Sequence, residues 1–324
     1  MTESTGSHVG PLDRSAKIYI AGHRGLVGGA LWRYFAAQGF EKLVGRTSSE
    51  LDLRDSPAVA AFIAREKPDV VIDAAAKVGG IIANSTYPAD FLSDNLRIQV
   101  NLLDAAQRNG IEKFLFLGSS CIYPRLAPQP ISEDSLLTGP LEPTNDAYAI
   151  AKIAGVLHVQ AIRRQHGLHY ISAMPTNLYG PGDNFHPTNS HVLPALIRRF
   201  HEATRSGADT VTCWGTGRPR REFLHVDDMA AACLHLLEHY DDPSPVNLGV
   251  GEDLTIADIA QAVADTVGFT GAIEWDTSKP DGTPQKLLDV SRMTGLGWQA
   301  QIDLPGGLAS TYRWFLEHQD NFRR

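Results

Sequence analysis

The sequence predicts an α/β protein with a doubly wound parallel sheet and a smaller carboxyl-terminal α/β lobe. Two observations predict the sheet: short apolar strands alternate with helical patterns up to residue 180, and a glycine-rich turn joins the first strand to the first helix. A third observation predicts the lobe, because the chain becomes polar and rich in Gly, Pro and Asn after Gly180. Right-handed crossovers between parallel strands place helices on both faces of such a sheet.

Elements in the first part of the chain follow from apolar runs and amphipathic periodicity. The runs "KIYIAG", "KLVG", "DVVIDAAA", "KFLFLGSS" and "HYISAMPTNLY" predict strands at 17–22, 42–45, 69–76, 113–120 and 169–179. Apolar residues at helical spacing predict helices that begin near residue 26 and span 56–66, 90–109 and 146–165. The third strand is continuously apolar, which is typical of a strand buried on both faces. This order of elements is that of a Rossmann domain.

The second part of the chain also alternates, with shorter strands. Helices are predicted at 192–203, at 227–240, from about 255 and within 304–316, and strands at 211–214, 223–226, 246–251 and 272–275. Asp227 and Asp228 lie in the first turn of their helix, where negative charge suits the helix dipole. We expect a disordered leader at 1–16, a nucleotide-binding domain at 17–180, and a lobe at 181–324 that is partly interleaved with that domain.

Composition and charge argue against several classes of function. The chain has 324 residues and a net charge of −8, so it offers no overall positive charge to nucleic acid or an anionic membrane. No apolar run is long enough to cross a membrane, and the first sixteen residues lack the apolar core of a signal peptide. Cys121, Cys213 and Cys233 are scattered and show no metal-ligand spacing. These features predict a cytoplasmic protein without a disulfide framework or a metal site.

The turn after the first strand has the pattern of a dinucleotide-binding loop. It reads "GHRGLVG", a G-x-x-G-x-x-G spacing that opens a helix. Glycines there let backbone N–H groups approach a pyrophosphate, and the helix dipole favours the anion. The residues expected to contact the dinucleotide are Gly22, Arg24, Gly25, Leu26, Val27 and Gly28. The alternative is a strand-to-helix turn that binds nothing.

The end of the second strand indicates which dinucleotide the loop holds. A carboxylate at this position binds the ribose diol of NAD, whereas this chain has Arg46 there and Arg24 in the loop itself. Two guanidinium groups suit the 2′-phosphate of NADP, so we expect NADP. The alternative is that both are surface arginines. Asp52 is placed to contact the adenine edge, or else it only flanks a helix.

A tyrosine and a lysine in "YAIAK" form a candidate catalytic pair. Tyr148 and Lys152 stand at i and i+4, so they share one face of a predicted helix. An ammonium beside a phenol favours the phenolate and brings the tyrosine proton within catalytic range. Ser119, at the end of a strand, can hydrogen-bond the same carbonyl that Tyr148 protonates. The alternative is a solvated helix face with no catalytic role.

These motifs, with the longer segments around them, resemble the GDP-L-fucose synthase family of extended short-chain dehydrogenase/reductases. The matching segments are "AGHRGLVG", "AAAKVGGI", "TYPADF", "FLGSSCIYP", "LEPTNDAYAIAKIAG", "MPTNLYGPGDNFHPTNSHVLPALIRRFHEA", "REFLHVDDMA" and "KPDGTP". They cover nearly the whole chain from Lys17, and the long central segments are specific. The resemblance implies NADPH-dependent conversion of GDP-4-keto-6-deoxy-D-mannose to GDP-L-fucose, by epimerisation at C3 and C5 and reduction at C4.

The resemblance also implies roles for the catalytic residues. Ser119, Tyr148 and Lys152 correspond to the reductase set, and Cys121 and His191 to the acid–base pair of the epimerisation. The chemistry is consistent, because protons beside a ketone are acidic and inversion needs a base on one face and an acid on the other. A thiolate and an imidazolium can fill these roles near neutral pH. Without the resemblance, Cys121 reads as a small buried residue and His191 as a helix cap or loop hydrogen bond.

Further contacts are implied for both ligands. For NADP, beyond the glycine loop, they are Arg46, Ser48, Asp52, Leu117, Gly118, Ser119, Lys152, Pro175, Asn177, Leu178 and His191. For the GDP-sugar, expected in the lobe at 181–324, they are Arg199, Trp214, Arg221 and Asp281, with Lys286 in the same polar loop as Asp281. Arginines suit a diphosphate, and an indole can pack on a sugar or base. Ser48 stands where some family members carry a second arginine, which weakens the expected preference for NADP without removing it.

The sequence leaves two other functions and one assembly open. The first is a redox-neutral nucleotide-sugar epimerase or dehydratase with retained NAD; "SSCIY" argues against a dehydratase, which usually needs an acidic pair beside the serine. The second is a nucleotide-sensing regulator that has lost its chemistry, against which the intact catalytic set argues. The long helices at 90–109 and 146–165 are candidates for a homodimer contact.

Overall fold

The structure, a computed structural model, describes residues 9–187, 190–279 and 281–319. Its helices, in chain order, are α1 (Leu26–Ala37), α2 (Ser56–Glu66), α3 (Ile81–Thr86), α4 (Pro88–Arg108), α5 (Asp146–His166), α6 (Val192–Ser206), α7 (Val226–His239), α8 (Ile256–Val267), α9 (Ser291–Gly295) and α10 (Leu304–Glu317). Its strands are β1 (Ile18–Ala21), β2 (Leu43–Val44), β3 (Val70–Asp73), β4 (Lys113–Leu117), β5 (His169–Pro175), β6 (Asn177–Tyr179), β7 (Thr210–Trp214), β8 (Arg220–Arg221), β9 (Phe223–His225), β10 (Val246–Leu248), β11 (Leu254–Thr255), β12 (Ala272–Asp276) and β13 (Gln285–Lys286).

A six-stranded parallel sheet forms the centre, in the order β10-β5-β4-β3-β1-β2. The chain leaves β1 for β2 on one side and returns to β3 on the other, so the strand order reverses between β1 and β3. Ligands of such sheets bind in the crevice outside the carboxyl ends of the strands at this reversal. β1 and β3 are buried along their whole length, as their apolar runs predict. The predicted doubly wound parallel sheet is therefore confirmed.

Helices cover both faces of the sheet, because each one turns an apolar stripe toward it. α1 and α7 pack on one face through buried residues that include Leu31, Phe35 and Met229. α2, α4 and α5 pack on the other face, where Phe62 and Leu102 are among the buried residues. The two layers fix the carboxyl edge of the sheet, from which the candidate site is built.

A third apolar core lies in the second part of the chain. α6, α8, α10 and the parallel pair β7–β12 surround it, with Phe200, Val211 and Phe315 buried at its centre. β8 lies between β11 and β13 in a small three-stranded sheet. β10, although it follows residue 180, belongs to the central sheet. The proposed division of the chain at residue 180 remains a prediction.

The strand predicted at 169–179 is in fact two strands in different sheets. β5 ends at Pro175, and β6 pairs with β9 instead of continuing along the central sheet. Asn177 Nδ2 donates a hydrogen bond to the backbone oxygen of Glu222 at 2.8 Å, which holds β6 against the segment leading into β9. A continuous apolar pattern gives no sign of this change of partner.

The leader predicted at 1–16 is ordered where the structure describes it. The backbone N–H of Gly10 donates to the oxygen of Glu238 at 2.7 Å, and the N–H of Leu12 donates to the Glu238 carboxylate at 3.1 Å. Arg14 pairs with the same carboxylate at 2.8 Å. Residues 9–16 are thus fastened to the end of α7, whereas residues 1–8 lie outside the described residues. Among the helices that the structure describes, none is long and apolar enough to cross a membrane.

Candidate active site

The glycine loop forms a narrow backbone turn at the carboxyl end of β1. Gly22 has a φ of +77°, and a Cβ there would lie 2.7 Å from the backbone oxygen of Ala74. A Cβ on Gly28 would strike the backbone of Gly22, so α1 can approach the turn only with glycine at this position. No side chain among the described residues caps α1 at Gly25. This arrangement of small residues at a helix N-terminus fits the pyrophosphate of a dinucleotide.

Two arginines lie beside this loop. Arg46 follows β2, donates to Glu66 Oε1 at 3.2 Å, and lies over the ring of Phe62 at 5.3 Å. Arg24 is exposed in the loop itself. Burial lowers the pKa of the His23 imidazole, and the charges of Arg24 and Arg46 lower it further, so both guanidinium groups act on one point. The positive charge needed for a 2′-phosphate is therefore present at the loop.

The other two residues predicted for this part of the cofactor site are exposed. Ser48 lies in the turn after β2. The Asp52 carboxylate accepts a hydrogen bond from Arg54 Nη2 at 2.8 Å, and the Arg54 side chain is the main cause that lowers the pKa of Asp52 to about 2. Asp52 is thus engaged by its neighbour, and its contact with adenine remains a prediction.

The remaining predicted cofactor contacts lie at the ends of β4, β5 and β6. Leu117 closes β4, and the N–H of Gly118 donates to the oxygen of Ala173 at 2.9 Å, which keeps the chain in the plane of the sheet. Pro175 is the last residue of β5, and Asn177 and Leu178 belong to β6. Leu117 and Pro175 thus lie at the carboxyl ends of central strands, whereas Asn177 and Leu178 lie in β6, which pairs with β9.

Cys121 lies in a short 3₁₀ turn, Ser120–Ile122, that follows β4. Its sulfur accepts hydrogen bonds from Asn145 Nδ2 at 3.3 Å and from Lys286 Nζ at 3.5 Å. Its N–H donates to Ser119 Oγ at 3.2 Å. Burial of the sulfur opposes its ionisation, but the Lys286 charge and the hydrogen-bond donors outweigh that effect and lower the pKa of the thiol. The lowered pKa favours the ionised form of this thiol.

The other two thiols differ from Cys121. Cys213 and Cys233 are buried, whereas Cys121 is half-buried. Burial raises the pKa of both Cys213 and Cys233. Their surroundings therefore disfavour the thiolate form.

Tyr148 faces the same turn from α5. Its ring packs edge-on against Phe91, with the ring centroids 6.5 Å apart. Burial raises the pKa of the phenol, the nearby Cys121 sulfur raises it further, and a hydrogen bond with Ser119 opposes both. Ser119 thus contacts both Cys121 and Tyr148. The phenol keeps its proton at neutral pH, which is the form required of a proton donor.

Lys152 lies one helical turn after Tyr148 and is only 3% exposed. Its ammonium donates to the backbone oxygen of Leu117 at 2.8 Å. Burial lowers the pKa of Lys152, and the charge of the buried Asp73 opposes this effect. Burial likewise raises the pKa of Asp73 to about 6, which Lys152 opposes. The Lys152 ammonium thus lies below the strand ends that carry the candidate cofactor contacts, with the buried Asp73 carboxyl acting on it.

His191 occupies the N-cap position of α6, but no cap hydrogen bond from its side chain joins the described residues. The residue is exposed, and the protein around its ring displaces enough water to lower the pKa of the imidazole. The preceding carbonyl, of Ser190, would lie 3.2 Å from a Cβ on Gly80, so the start of α6 abuts the segment after β3. His191 is not part of the hydrogen-bonded group around Cys121 among the described residues, and their pairing remains a prediction.

Arg221 connects the Cys121 group to the candidate sugar site. It lies in β8 in parallel register with Lys286 of β13. Burial lowers the pKa of its guanidinium, and the charges of Glu142, Asp281 and Cys121 oppose this effect. Arg221 is thus close to the thiol and to two carboxylates from different loops.

The other predicted sugar contacts lie around the end of β7. Trp214 is 59% exposed, and the ammonium of Lys279 lies over its ring at 5.6 Å. Arg199 of α6 donates to the backbone oxygen of Thr212 at 2.8 Å. Asp281 accepts hydrogen bonds from the N–H and hydroxyl of Thr216 at 2.9 and 2.7 Å. Asp281 therefore anchors its own loop, and its contact with a substrate remains a prediction.

Two contacts of the Cys121 sulfur were not predicted from the sequence. Asn145 occupies the N-cap position of α5, but its side chain makes no cap bond among the described residues and donates to Cys121 instead. Lys286 reaches the same sulfur from 165 positions along the chain, through a loop without periodicity. No motif or spacing in the sequence indicated either contact. Asn145 lies within one of the segments that resemble the family, and Lys286 lies outside all of them.

Comparisons with known proteins agree with this geometry. Residues 18–250 match the model of the NAD dependent epimerase/dehydratase family. GDP-L-fucose synthase 1 from Arabidopsis thaliana is 58% identical over 322 residues, which cover 99% of this chain and 100% of that protein. GDP-L-fucose synthase from Escherichia coli is 57% identical, over 95% of this chain and 98% of that protein. The crystal structure of a GDP-L-fucose synthetase from Naegleria fowleri bound to NADP is 30% identical, with a TM-score of 0.89 over 97% of this chain and 98% of that chain.

Proposed function

The chain belongs to the NAD dependent epimerase/dehydratase family, and on this basis we propose that it converts GDP-4-keto-6-deoxy-D-mannose to GDP-L-fucose with NADPH. One observation carries the proposal beyond membership of the family. The half-buried thiol of Cys121 lies beside Ser119 and Tyr148, so a proton-transfer group for carbon and a donor for a carbonyl oxygen share one site. A simple ketone reductase needs only the second of these.

The glycine loop is the place for NADP. The backbone at Gly22 and Gly28 leaves room for a pyrophosphate and excludes larger side chains, and Arg24 and Arg46 supply charge for the 2′-phosphate. Lys152, beneath the strand ends, is the residue for the nicotinamide ribose. When bound, NADPH supplies the hydride for C4.

Epimerisation is the work of Cys121 and His191. The protons at C3 and C5 are acidic because the resulting carbanion delocalises onto the C4 ketone oxygen. The thiolate of Cys121 takes a proton from one face of the ring, and the imidazolium of His191 gives a proton to the same carbon from the opposite face. Hydrogen bonds from Ser119 and Tyr148 stabilise the negative oxygen that forms. After both centres have inverted, Tyr148 gives its proton to the same oxygen as C4 is reduced.

A defined substrate set tests this function. The purified protein is incubated with NADPH and a series of 4-keto nucleotide sugars, and the products are identified by NMR. We expect oxidation of NADPH with GDP-4-keto-6-deoxy-D-mannose and formation of GDP-L-fucose. A product epimerised without net loss of NADPH, together with nucleotide that stays bound through purification, would favour the redox-neutral alternative instead.

A homodimer is part of the proposal. α4 and α5 pack on each other, and Gln99 of α4 donates to the backbone oxygen of Ala151 at 2.7 Å. On the outer side the same two helices expose Val100, Ile150 and Leu157, at 38, 46 and 41%. Two copies that met along this face would form a four-helix contact and cover these side chains. We further propose a cytoplasmic location, NADP binding by residues 17–180 and GDP-sugar binding by 181–324.

A further inference from the structure

Lys286 reaches Cys121 from a strand of two residues. β13 pairs in parallel with β8, and its register places Lys286 beside Arg221. Lys286 Nζ lies 3.5 Å from the sulfur of Cys121. Lysine is a full positive charge with three donors, so at this distance it favours a negative sulfur over a neutral one.

Hydrogen bonds hold the segment that contains Lys286, residues 281–288, on both sides of the lysine. Asp281 accepts a hydrogen bond from the Thr216 hydroxyl at 2.7 Å, and Thr283 Oγ1 donates to Glu142 at 3.1 Å. Beyond β13, the N–H of Leu288 donates to the buried carboxylate of Glu222 at 3.1 Å. These bonds fix a short segment that otherwise has little regular structure. Lys286 is therefore presented to the sulfur by a braced segment and does not reach it as a freely moving surface lysine.

Among the described residues, charged or titratable side chains near Cys121 come from β13, β8 and α5, and from two loops near Arg221. Lys286 and Arg221 bring positive charge from β13 and β8, and Tyr148 of α5 brings a phenol that keeps its proton. The carboxylates nearest to Arg221 are engaged elsewhere: Glu142 pairs with Arg125 at 3.2 Å, and Asp281 with Thr216. Both carboxylates keep their negative charge, but among the causes that lower the pKa of the Cys121 thiol the charge of Lys286 is the largest.

We propose that Lys286 holds Cys121 as a thiolate before substrate binds, with Asn145 fixing the direction of the sulfur lone pairs. The catalytic role of this thiolate rests on the proposed function, in which it removes a ring proton next to the ketone. In that step the C–H bond breaks, an S–H bond forms, and the electron pair passes to the ketone oxygen. Lys286 keeps its own proton throughout. The negative charge leaves the sulfur and appears on the oxygen, next to Ser119 and Tyr148.

The charge of the Cys121 sulfur also affects Tyr148, which we propose to be the proton donor in the reduction at C4. Burial is the main cause that raises the pKa of the Tyr148 phenol, and a negative Cys121 sulfur raises it further. Once Cys121 has accepted a proton, this effect disappears and Tyr148 can release its own proton more easily. Lys286 thus links the order of the two proton transfers through the charge of one sulfur.

Alkylation by iodoacetamide measures the thiolate directly and needs no substrate. The rate is followed against pH for the full-length protein, for Lys286→Gln and Lys286→Arg, and for Lys279→Gln, a matched control on the exposed lysine over Trp214. A Cys121→Ala variant gives the background from Cys213 and Cys233, which are buried. We expect the apparent pKa of the thiol to rise by about 1–3 units in Lys286→Gln, the effect of one close opposite charge. Lys286→Arg should retain most of the low value, and Lys279→Gln should match the wild type.

The proposal is overturned if folded Lys286→Gln, with an unchanged melting temperature, gives the same pH profile as the wild type. A second measurement does not depend on that variant folding. The 240 nm absorbance of thiolate is titrated in the wild type and in Cys121→Ala, and the difference should show a pKa below about 8.5, the ordinary cysteine value. A value at or above it would also overturn the proposal. Neither assay uses the keto-sugar. A low thiol pKa in a protein that does not turn over the keto-sugar would therefore reject the proposed function and leave the proposal for Lys286 standing.

Discussion

The closest approach in the glycine loop gives a prediction with its own internal control. A Cβ added at Gly28 would lie 2.6 Å from the carbonyl carbon of Gly22 and 2.8 Å from the Cα of His23. Both are backbone atoms, so the clash is relieved only if α1 moves away from the turn. At Gly29, the next residue of the same helix, a Cβ would be 3.6 Å from the Arg33 side chain and 3.7 Å from the His23 oxygen, an ordinary contact.

The two alanine variants share every effect except this clash. Each gains up to about 1 kcal/mol from replacing glycine inside a helix. Overpacking against backbone costs about 1–3 kcal/mol, which falls on Gly28→Ala alone. We therefore expect Gly29→Ala to be as stable as the wild type or more so, and Gly28→Ala to be about 1–3 kcal/mol less stable than Gly29→Ala.

The binding of NADPH should separate the variants further. A shift of the turn in Gly28→Ala moves the N–H groups that face the pyrophosphate, and a loss of about 1.4 kcal/mol already weakens binding tenfold. Urea unfolding gives the stabilities, and fluorescence titration with NADPH gives the dissociation constants. If Gly28→Ala binds NADPH like Gly29→Ala and unfolds at the same urea concentration, the loop does not hold the cofactor as inferred.

Three further predictions concern the cofactor, the assembly and pH. Arg46→Gln should weaken NADPH binding about tenfold or more and leave NADH binding nearly unchanged, because only NADPH carries the 2′-phosphate; equal losses in a paired fluorescence titration would contradict this. Ile150→Asp should shift the protein from dimer to monomer in analytical ultracentrifugation, whereas Leu126→Asp, at an 81% exposed loop residue, should not; two dimeric variants would argue against the α4–α5 face. Burial raises the pKa of Asp73 from 3.8 to about 6, so the folded state binds the proton more tightly than the unfolded state does. The wild type should therefore lose stability relative to Asp73→Asn as the pH rises from about 4 to about 6, and parallel profiles in urea unfolding would refute the buried carboxyl's role.

Elements with local signals in the sequence were predicted well. The helix predicted at 56–66 has the same limits in the structure, because Asp55 accepts a hydrogen bond from the N–H of Ala58 at 3.0 Å and Pro57 lies in the first turn. The glycine loop and the stacked Tyr148 and Lys152 are likewise short-range patterns. Each depends on residues within a few positions, which is the range over which composition and periodicity act.

Features that depend on distant contacts were missed. The change of partner at Thr176 needs β9, which lies more than forty positions later, and the anchoring of residues 9–16 needs Glu238. The six-residue helix α3 is too short to show amphipathic periodicity. Lys286 belongs to a strand of two residues, and nothing in the local sequence "TPQK" indicates that its side chain contacts Cys121. The candidate site residues were thus predicted by motif and resemblance, while the contacts of Lys286 and Asn145 with the Cys121 sulfur became visible only in the structure.

Solvent exchange at the sugar ring tests the division of labour most directly. GDP-4-keto-6-deoxy-D-mannose is incubated in D₂O with the wild type, Cys121→Ala and Tyr148→Phe, without NADPH, and deuterium at C3 and C5 is read by NMR. Exchange should proceed in the wild type and nearly stop in Cys121→Ala, although that variant should still bind NADPH. In Tyr148→Phe, the rate of exchange should fall less than the rate of reduction. Exchange at the wild-type rate in Cys121→Ala would show that another group removes the protons and that the thiol is not the base.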